Sequence, residues 1–247
     1  MFQVRVLGEH GPYPAPGGAT TGFLIQTDEG NVLLDCGSGV FAELTKYVKI
    51  EELDAVLVTH HHADHVSDIP VLRYAVMIAQ NRKLLRQKLP IYANQEPQHL
   101  FASLAFEPYV TTHKLSSASN VQLIGASFTF ANTIHAISCL AVRVEYKGNV
   151  FVFSADSGPC AALEQLAKDA DVFICEASWL EKDKGSAEIG HLTTKEAARI
   201  AKRADVKQLA LTHFFPDYDR SVIQKEAEEA YGSAVHLCKQ GEIISIS

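Results

Sequence analysis

The sequence lacks the features typical of secreted, disulfide-stabilised and membrane-spanning proteins. Its five cysteines are odd in number and form no Cys-x-x-Cys pair, which does not suit a disulfide framework. No apolar run reaches the length of a transmembrane helix, and the N-terminal residues contain no signal-peptide core. We therefore expect a cytoplasmic protein with buried or incidental thiols and no membrane association.

Positive charge is also scarce, because 22 Lys and Arg residues oppose 29 Asp and Glu residues, for a formal net charge of −7. This balance disfavours broad binding to the phosphate backbone of nucleic acids. No low-complexity stretch or long linker divides the 247 residues, of which 47% are hydrophobic. Length and composition predict a single domain over residues 1–247.

Short apolar segments separated by turn residues recur along both halves of the chain. Strands are predicted at Gly22–Thr27 and Ala55–Val58 and again at Leu140–Tyr146 and Val172–Cys175, and the longest predicted helix is Ser67–Gln87. Each half is rich in strands first and then alternates helix and strand. This pattern predicts an α+β fold in which two mixed sheets face each other with helices outside.

The densest group of metal-ligand side chains lies at residues 59–65, which read Thr-His-His-His-Ala-Asp-His. The group directly follows the apolar strand Ala55–Val58, so a buried element delivers it to one place. Imidazole and carboxylate groups together suit zinc and similar divalent ions. Three imidazoles and one carboxylate this close together can bind two ions as readily as one. His61 is interpreted as a spacer. The candidate ligands in this motif are His60, His62, Asp64 and His65.

Further ligand-capable residues occur just beyond other predicted strands. Catalytic groups collect at strand ends because the sheet fixes their position while the loops leave them accessible. Two divalent ions about 3.5–4 Å apart can share a carboxylate and a water that loses a proton near neutral pH. The pattern therefore predicts a hydrolase whose nucleophile is a hydroxide between two metal ions. The additional residues are Asp35, His135, Asp156 and His213.

The order of these motifs resembles the metallo-β-lactamase superfamily across nearly the whole chain. The resemblance implies an αββα sandwich and two divalent metal ions, with zinc expected and manganese as the alternative. It also implies that Asp35 orients ligand histidines through hydrogen bonds. The implied ligands are His60, His62 and His135 for one ion, Asp64, His65 and His213 for the other, and Asp156 as the bridge.

A second pair of motifs resembles the tRNase Z and phosphodiesterase branch, in which a His-Glu-Ala-Thr element precedes a Gly-His-Ser-Thr element. Cys175 replaces the first histidine and Leu192 replaces the serine, whereas Glu176 and His191 are retained. In that branch the histidine stabilises or protonates phosphate oxygens, and a carboxylate partner keeps such an imidazole protonated to higher pH. The resemblance implies a homodimer and the catalytic residues Asp64, Glu176 and His191.

One departure bears on the substrate. Proteins of the tRNase Z type hold tRNA with a long arm between the third histidine motif and the bridging aspartate. Here only 20 residues separate His135 from Asp156, and the predicted hairpin Leu140–Ser154 occupies them. The missing arm and the acidic balance favour a small or nucleotide-like phosphodiester, such as a cyclic nucleotide, over RNA.

Several alternatives remain open from the sequence alone. A tRNA 3′-end processing endoribonuclease is the first, and a thioester, lactone or β-lactam hydrolase is the second. The second would make no obvious use of Glu176 and His191. A metal-loaded binding module without turnover would be favoured by a missing ligand, and none is missing. A two-iron oxidoreductase is disfavoured because the chain has no room for a flavin-binding second domain.

Overall fold

The computed structural model describes residues 1–184 and 190–247. The strands in this part of the chain are β1 (Phe2–Gly8), β2 (Gly22–Thr27), β3 (Gly30–Leu34), β4 (Ala55–Val58), β5 (Leu89–Asn94), β6 (Val110–Leu115), β7 (Asn120–Leu123), β8 (Ala126–Asn132), β9 (Leu140–Tyr146), β10 (Asn149–Phe153), β11 (Val172–Glu176), β12 (Gln208–Thr212), β13 (His236–Leu237) and β14 (Ile243–Ser245). The helices are α1 (Val40–Leu44), α2 (Ala63–Val66), α3 (Ile69–Asn81), α4 (Gln98–Ser103), α5 (Ala161–Leu166), α6 (Glu181–Lys184), α7 (Thr194–Arg203) and α8 (Arg220–Tyr231).

The strands form two seven-stranded sheets with the orders β14-β1-β2-β3-β4-β5-β6 and β7-β8-β9-β10-β11-β12-β13. In each sheet, read in this direction, the first three pairings are antiparallel and the last three are parallel. The two halves of the chain thus repeat one pairing pattern, and only β14 returns to the sheet of the first half. The predicted fold of two mixed sheets is confirmed.

Three apolar cores hold the layers together. The central core lies between the sheets and contains Phe23 and Phe153, whose ring centroids are 5.0 Å apart. A second core joins the first sheet to α1 and α3, and a third joins the second sheet to α5, α7 and α8. Burial of each large apolar side chain contributes about 1.5–3 kcal/mol. Helices therefore cover both outer faces, as an αββα sandwich requires.

The long helix predicted over Ser67–Gln87 differs from the structure. Among the described helices only α3 lies within this range, because α2 ends at Val66 and α3 begins at Ile69, with Pro70 in its first turn. Proline suits the first turn of a helix but not the interior, so it marks a new start. The α3 helix ends before Lys83, which adopts a left-handed backbone with φ of 60°.

The strands β6 and β7 and the helix α4 were not predicted. β6 reads Val-Thr-Thr-His-Lys-Leu and lies at the edge of its sheet, and its four polar middle residues are partly or fully exposed, so the segment shows neither alternation nor a continuous apolar run. None of the described helices is both long and apolar enough to cross a bilayer, and the longest has 13 residues. Four of the five free cysteines are buried, and Cys160 is partly exposed.

The loop between β1 and β2 crosses to the second sheet and fixes the segment after β12. Gly11 N donates a hydrogen bond to Phe214 O at 3.1 Å, and Phe214 N donates to Glu9 O at 3.0 Å. A Cβ atom at Gly11 would lie 2.1 Å from Nε2 of His213. Only glycine therefore lets this loop pass directly over the His213 ring.

We expect Gly11→Ala to displace the His213 imidazole, because the new methyl group would overlap it. The substitution should lower the free energy of unfolding by about 1–3 kcal/mol, the usual penalty of overpacking. It should also reduce the amount of metal bound per chain. Urea denaturation and elemental analysis measure the two effects.

Gly158→Ala is the matched control, since a Cβ atom there would meet no atom closer than 3.5 Å. This variant should keep the stability and metal content of the parent protein. A Gly11→Ala protein that bound metal as well as the control would contradict the placement of the loop against His213.

Candidate metal centre

The predicted site residues come together at one end of the sandwich, where parallel strands of both sheets finish. Asp35 directly follows β3, His60 lies two residues beyond β4, and His213 directly follows β12. Asp35 and His213 have left-handed backbones, with φ of 58° and 61°. Non-glycine residues adopt this conformation at a cost of about 1–2 kcal/mol, which the surrounding contacts must offset. The chain thus turns sharply at Asp35 and His213, the residues whose polar side chains lie in the site.

Four of the predicted ligands form the His60 cluster, defined as His60, His62, His135 and Asp156. Nδ1 of His62 lies 3.1 Å from Nε2 of His60 and 2.9 Å from Nε2 of His135. Oδ2 of Asp156 lies 3.5 Å from Nε2 of His60 and 3.6 Å from Nε2 of His135. Ligands at zinc–nitrogen distances in a tetrahedron are about 3.3–3.4 Å apart. The spacing therefore suits one divalent cation.

The second group is the His213 cluster, defined as Asp64, His65, Asp156 and His213. Nε2 of His213 lies 3.1 Å from Oδ2 of Asp64 and 3.4 Å from Oδ1 of Asp156. Nε2 of His65 lies 3.2 Å from the same Asp156 oxygen and 3.8 Å from Asp64. These four atoms could hold a second cation. Since Asp156 turns one oxygen toward each cluster, its carboxylate is placed to bridge them.

Unpaired buried atoms also indicate a cation. Nε2 of His65 and Oδ1 of Asp156 are buried, and neither has a hydrogen-bond partner among the described residues. A buried polar atom without a partner costs roughly 1–3 kcal/mol. A cation in the His213 cluster would contact both atoms at once. The residues present therefore fit a divalent metal.

The charge states within the His60 cluster suit metal ligands, whereas in the His213 cluster Asp156 raises the pKa of His65 and of His213 against burial. Burial and the neighbouring His65 hold the pKa of His60 well below its usual range, and burial with His135 lowers the pKa of His62. Burial alone would raise the pKa of Asp156, but His213 and His65 lower it far more. Neutral imidazoles and ionised carboxylates are the forms that bind metal.

Asp35 holds the first half of the site in place. Its Oδ2 accepts hydrogen bonds from Nδ1 of His65 at 2.7 Å and from Oγ1 of Thr59 at 2.8 Å. The Thr59 hydroxyl in turn lies 3.2 Å from Nδ1 of His60. One buried carboxylate therefore orients a histidine of each cluster.

Glu176, which is fully buried, and His191, which is partly exposed, form an ion pair beside the clusters. Oε1 of Glu176 accepts a hydrogen bond from Nδ1 of His191 at 2.9 Å. Burial lowers the pKa of His191, but the charge and hydrogen bond of Glu176 outweigh it and raise the pKa to about 9. The His191 ring centroid lies 4.9 Å from that of His135 and 5.5 Å from that of His213. A protonated imidazole, 23% exposed, therefore borders both clusters.

Some supporting residues were not identified from the sequence. Gly190 O accepts a hydrogen bond from Nδ1 of His135 at 2.9 Å, and Thr59 and Ser178 link carboxylates to histidines. These residues lie within or directly beside the predicted motifs, and that proximity was the only feature of the sequence that could have identified them. His61, interpreted as a spacer, is buried and donates from Nε2 to Asn94 O at 2.7 Å, so it faces away from both clusters.

Comparison with known proteins agrees with this geometry. The sequence model of the beta-lactamase superfamily domain matches residues 30–214. The probable metallo-hydrolase YhfI of Bacillus subtilis is 34% identical over 97% of this chain and 98% of its own. A crystal structure of YhfI, described as a metallo-beta-lactamase fold protein, superposes with a TM-score of 0.95 at 31% identity, covering 98% of both chains.

More distant matches extend the comparison. A ribonuclease Z of Lachnospira eligens is 24% identical over 89% of this chain and 90% of its own. A diphosphatase of the PhnP family shares the fold, with a TM-score of 0.76 at 19% identity over 99% of this chain and 98% of its own. The extent of the family match and the similarity to YhfI show that the chain belongs to the metallo-β-lactamase superfamily, as the order of its motifs predicted.

Proposed function

We propose that this protein is a binuclear metal-dependent phosphodiesterase that hydrolyses a small or nucleotide-like phosphodiester. The observation that carries the proposal is the hydrogen-bonded pair of Glu176 and His191, which lies beside two groups of side chains spaced to hold cations. A fixed cation next to the metals suits a phosphodiester, because it can neutralise the non-bridging phosphate oxygens and protonate the leaving alkoxide. Zinc is the proposed metal, with manganese as the alternative.

The metal ligands would be the members of the His60 and His213 clusters. Two divalent cations, when bound, would stabilise charge at the attacked phosphorus centre and lower the pKa of water beside them. Asp64 contributes a carboxylate whose pKa the hydrogen bond from His213 and the nearby His65 hold low against burial. We assign Asp64 the role of proton acceptor at its carboxylate.

His191 supplies the opposite proton transfer. Its Nδ1 is engaged by Glu176, so Nε2 is the nitrogen left to act on the substrate. A protonated Nε2 can donate a hydrogen bond to a phosphate oxygen and then its proton to the leaving alkoxide. Glu176 is fully buried and stabilises the imidazolium before and during this step.

A tRNA 3′-end processing endoribonuclease is the second candidate, favoured by the similarity to a ribonuclease Z. The hairpin of β9 and β10 is paired in the second sheet and fills the space between His135 and Asp156 along the chain. An RNA-gripping arm therefore has no segment from which to extend at this position. This supports a small substrate over tRNA.

The proposal is tested with the purified 247-residue chain loaded with zinc or manganese. The loaded protein should cleave an aryl phosphodiester and at least one member of a panel of cyclic nucleotides and linear dinucleotides. Chromatography of the products measures the cleavage. Precursor tRNA and thioester substrates run in parallel. Full metal occupancy without turnover of any diester would overturn the proposal, and faster turnover of tRNA would favour the second candidate.

His191→Ala should lower kcat for phosphodiester cleavage by about 10²–10⁴-fold, the usual contribution of a general acid. Its metal content should remain that of the parent, because His191 belongs to neither cluster. His99→Ala, at an exposed position on α4, is the control and should keep full activity. Loss of metal in His191→Ala would show that His191 is a ligand instead.

Glu176→Gln should move the alkaline limb of the pH–rate profile toward lower pH. Glu176 raises the pKa of His191 to about 9, so the acid stays protonated up to that pH and is lost above it. Without the carboxylate the effect of burial dominates and the pKa falls, by about 1–3 units for loss of an opposite charge. Measuring kcat/KM from pH 5 to 10 for both proteins tests this. An unchanged alkaline limb would remove His191 as the titrating acid.

A further inference from the structure

We propose that Ser178 is a positioning residue for the His213 cluster, and that its hydroxyl links this cluster to the Glu176–His191 pair. The inference rests on the proposed function only in taking His213 as a metal ligand. Ser178 lies two residues beyond β11, and His213 directly follows the neighbouring strand β12. The parallel pairing of these strands therefore brings the two side chains together.

The distances define a continuous chain of hydrogen bonds. Oγ of Ser178 lies 2.7 Å from Oε2 of Glu176 and 2.8 Å from Nδ1 of His213. Ser178 is fully buried, so water does not compete for either contact. Trp179, the next residue, pairs its backbone with Leu192 and Thr194, which holds this segment beside the loop that carries His191.

The direction of each hydrogen bond follows from the carboxylate. Glu176 also accepts from the backbone N–H of Ser157 at 2.9 Å and from that of Ser178 at 3.2 Å, in addition to His191. An ionised carboxylate only accepts, so the Ser178 hydroxyl must donate its proton to Glu176. The free lone pairs of the hydroxyl then accept Nδ1–H of His213. This assigns the Nδ1–H tautomer and leaves the Nε2 lone pair for the cation site.

The first half of the molecule contains the same arrangement. Asp35, the Thr59 hydroxyl and Nδ1 of His60 form a carboxylate–hydroxyl–imidazole chain at the ends of β3 and β4. Each cation site is therefore supported by one hydroxyl-mediated link. The difference is that Asp35 binds a second metal-site histidine directly, whereas Glu176 binds His191. In the second half, Glu176 therefore orients both the metal-site residue His213, through Ser178, and the proposed general acid His191.

Loss of the Ser178 hydroxyl has two local consequences. Nδ1–H of His213 would be left buried without an acceptor, and Oε2 of Glu176 would lose one of its donors. The His191 and His213 rings are stacked with an interplanar angle of 18°, and Oγ of Ser178 lies 3.3 Å from Nδ1 of His191. Ser178 thus occupies the junction between the two rings, and its removal should loosen the His213 cluster without touching the His60 cluster.

The test measures metal affinity without substrate. Metal-free full-length protein is titrated with Zn²⁺ against a chelating indicator, which resolves the two binding equivalents. Ser178→Ala should weaken one of the two equivalents by about 10–100-fold, the usual effect of removing a partner of a ligand histidine. The other equivalent should stay within about threefold of the parent, since no Ser178 contact reaches the His60 cluster.

Two further variants separate positioning from packing. Ser178→Thr keeps the hydroxyl and should restore the affinity of the equivalent that Ser178→Ala weakens. Thr212→Val is the matched control, because Thr212 is buried next to His213 and its hydroxyl has no partner among the described residues. It should bind both equivalents as the parent does.

Parent-like binding by Ser178→Ala would overturn the inference. So would equal weakening of both equivalents, or a Ser178→Thr protein that binds as poorly as Ser178→Ala while Thr212→Val is unaffected. Because these titrations contain no diester, their outcome is independent of the phosphodiesterase assay. A parent protein that binds two zinc ions but cleaves no diester would refute the proposed function and leave the role of Ser178 to be judged by affinity alone.

Discussion

The site depends on a single carboxylate that faces two groups of histidines. Asp156 lies in a buried pocket at the end of the sandwich, with one oxygen turned to each cluster. An isolated carboxylate would not remain ionised at such a place, because burial penalises its charge by several kcal/mol. The surrounding histidines hold the pKa of Asp156 low, and a cation on either side would do so more strongly. The charge of Asp156 and the occupancy of the clusters are therefore linked.

Two other buried carboxylates hold the histidines around Asp156 in position. Asp35 and Glu176 are both fully buried and satisfy their oxygens with backbone N–H groups, hydroxyls and imidazoles. Thr59 and Ser178 lie just beyond the ends of parallel strands, so sheet pairing fixes the hydroxyls through which Asp35 and Glu176 reach His60 and His213. The repeated pairing order of the two sheets thus produces two similar hydrogen-bonded links, one for each cluster.

Asp35 and Glu176 differ in the histidines that they orient, and this difference relates the fold to the proposed chemistry. The only histidines that Asp35 orients among the described residues belong to the two clusters, whereas Glu176 also accepts a hydrogen bond from the partly exposed His191. A cation that is fixed, partly exposed and adjacent to both clusters suits an anionic substrate even in a chain whose net charge is −7. The attraction is local, and it does not need the extended basic surface that a long nucleic acid would require.

The sequence by itself determined the superfamily and the alternation that builds two mixed sheets, and it predicted ten candidate site residues, because ligand spacing and strand periodicity are local properties. It could not show that α2 begins inside the histidine motif, that Gly11 passes over His213, or that Ser178 joins Glu176 to His213. These contacts unite segments up to about 200 residues apart. Only the pairing of strands and the packing of the two sheets decide which distant polar groups meet, since hydrogen bonds and cation sites depend on distances that no local pattern encodes.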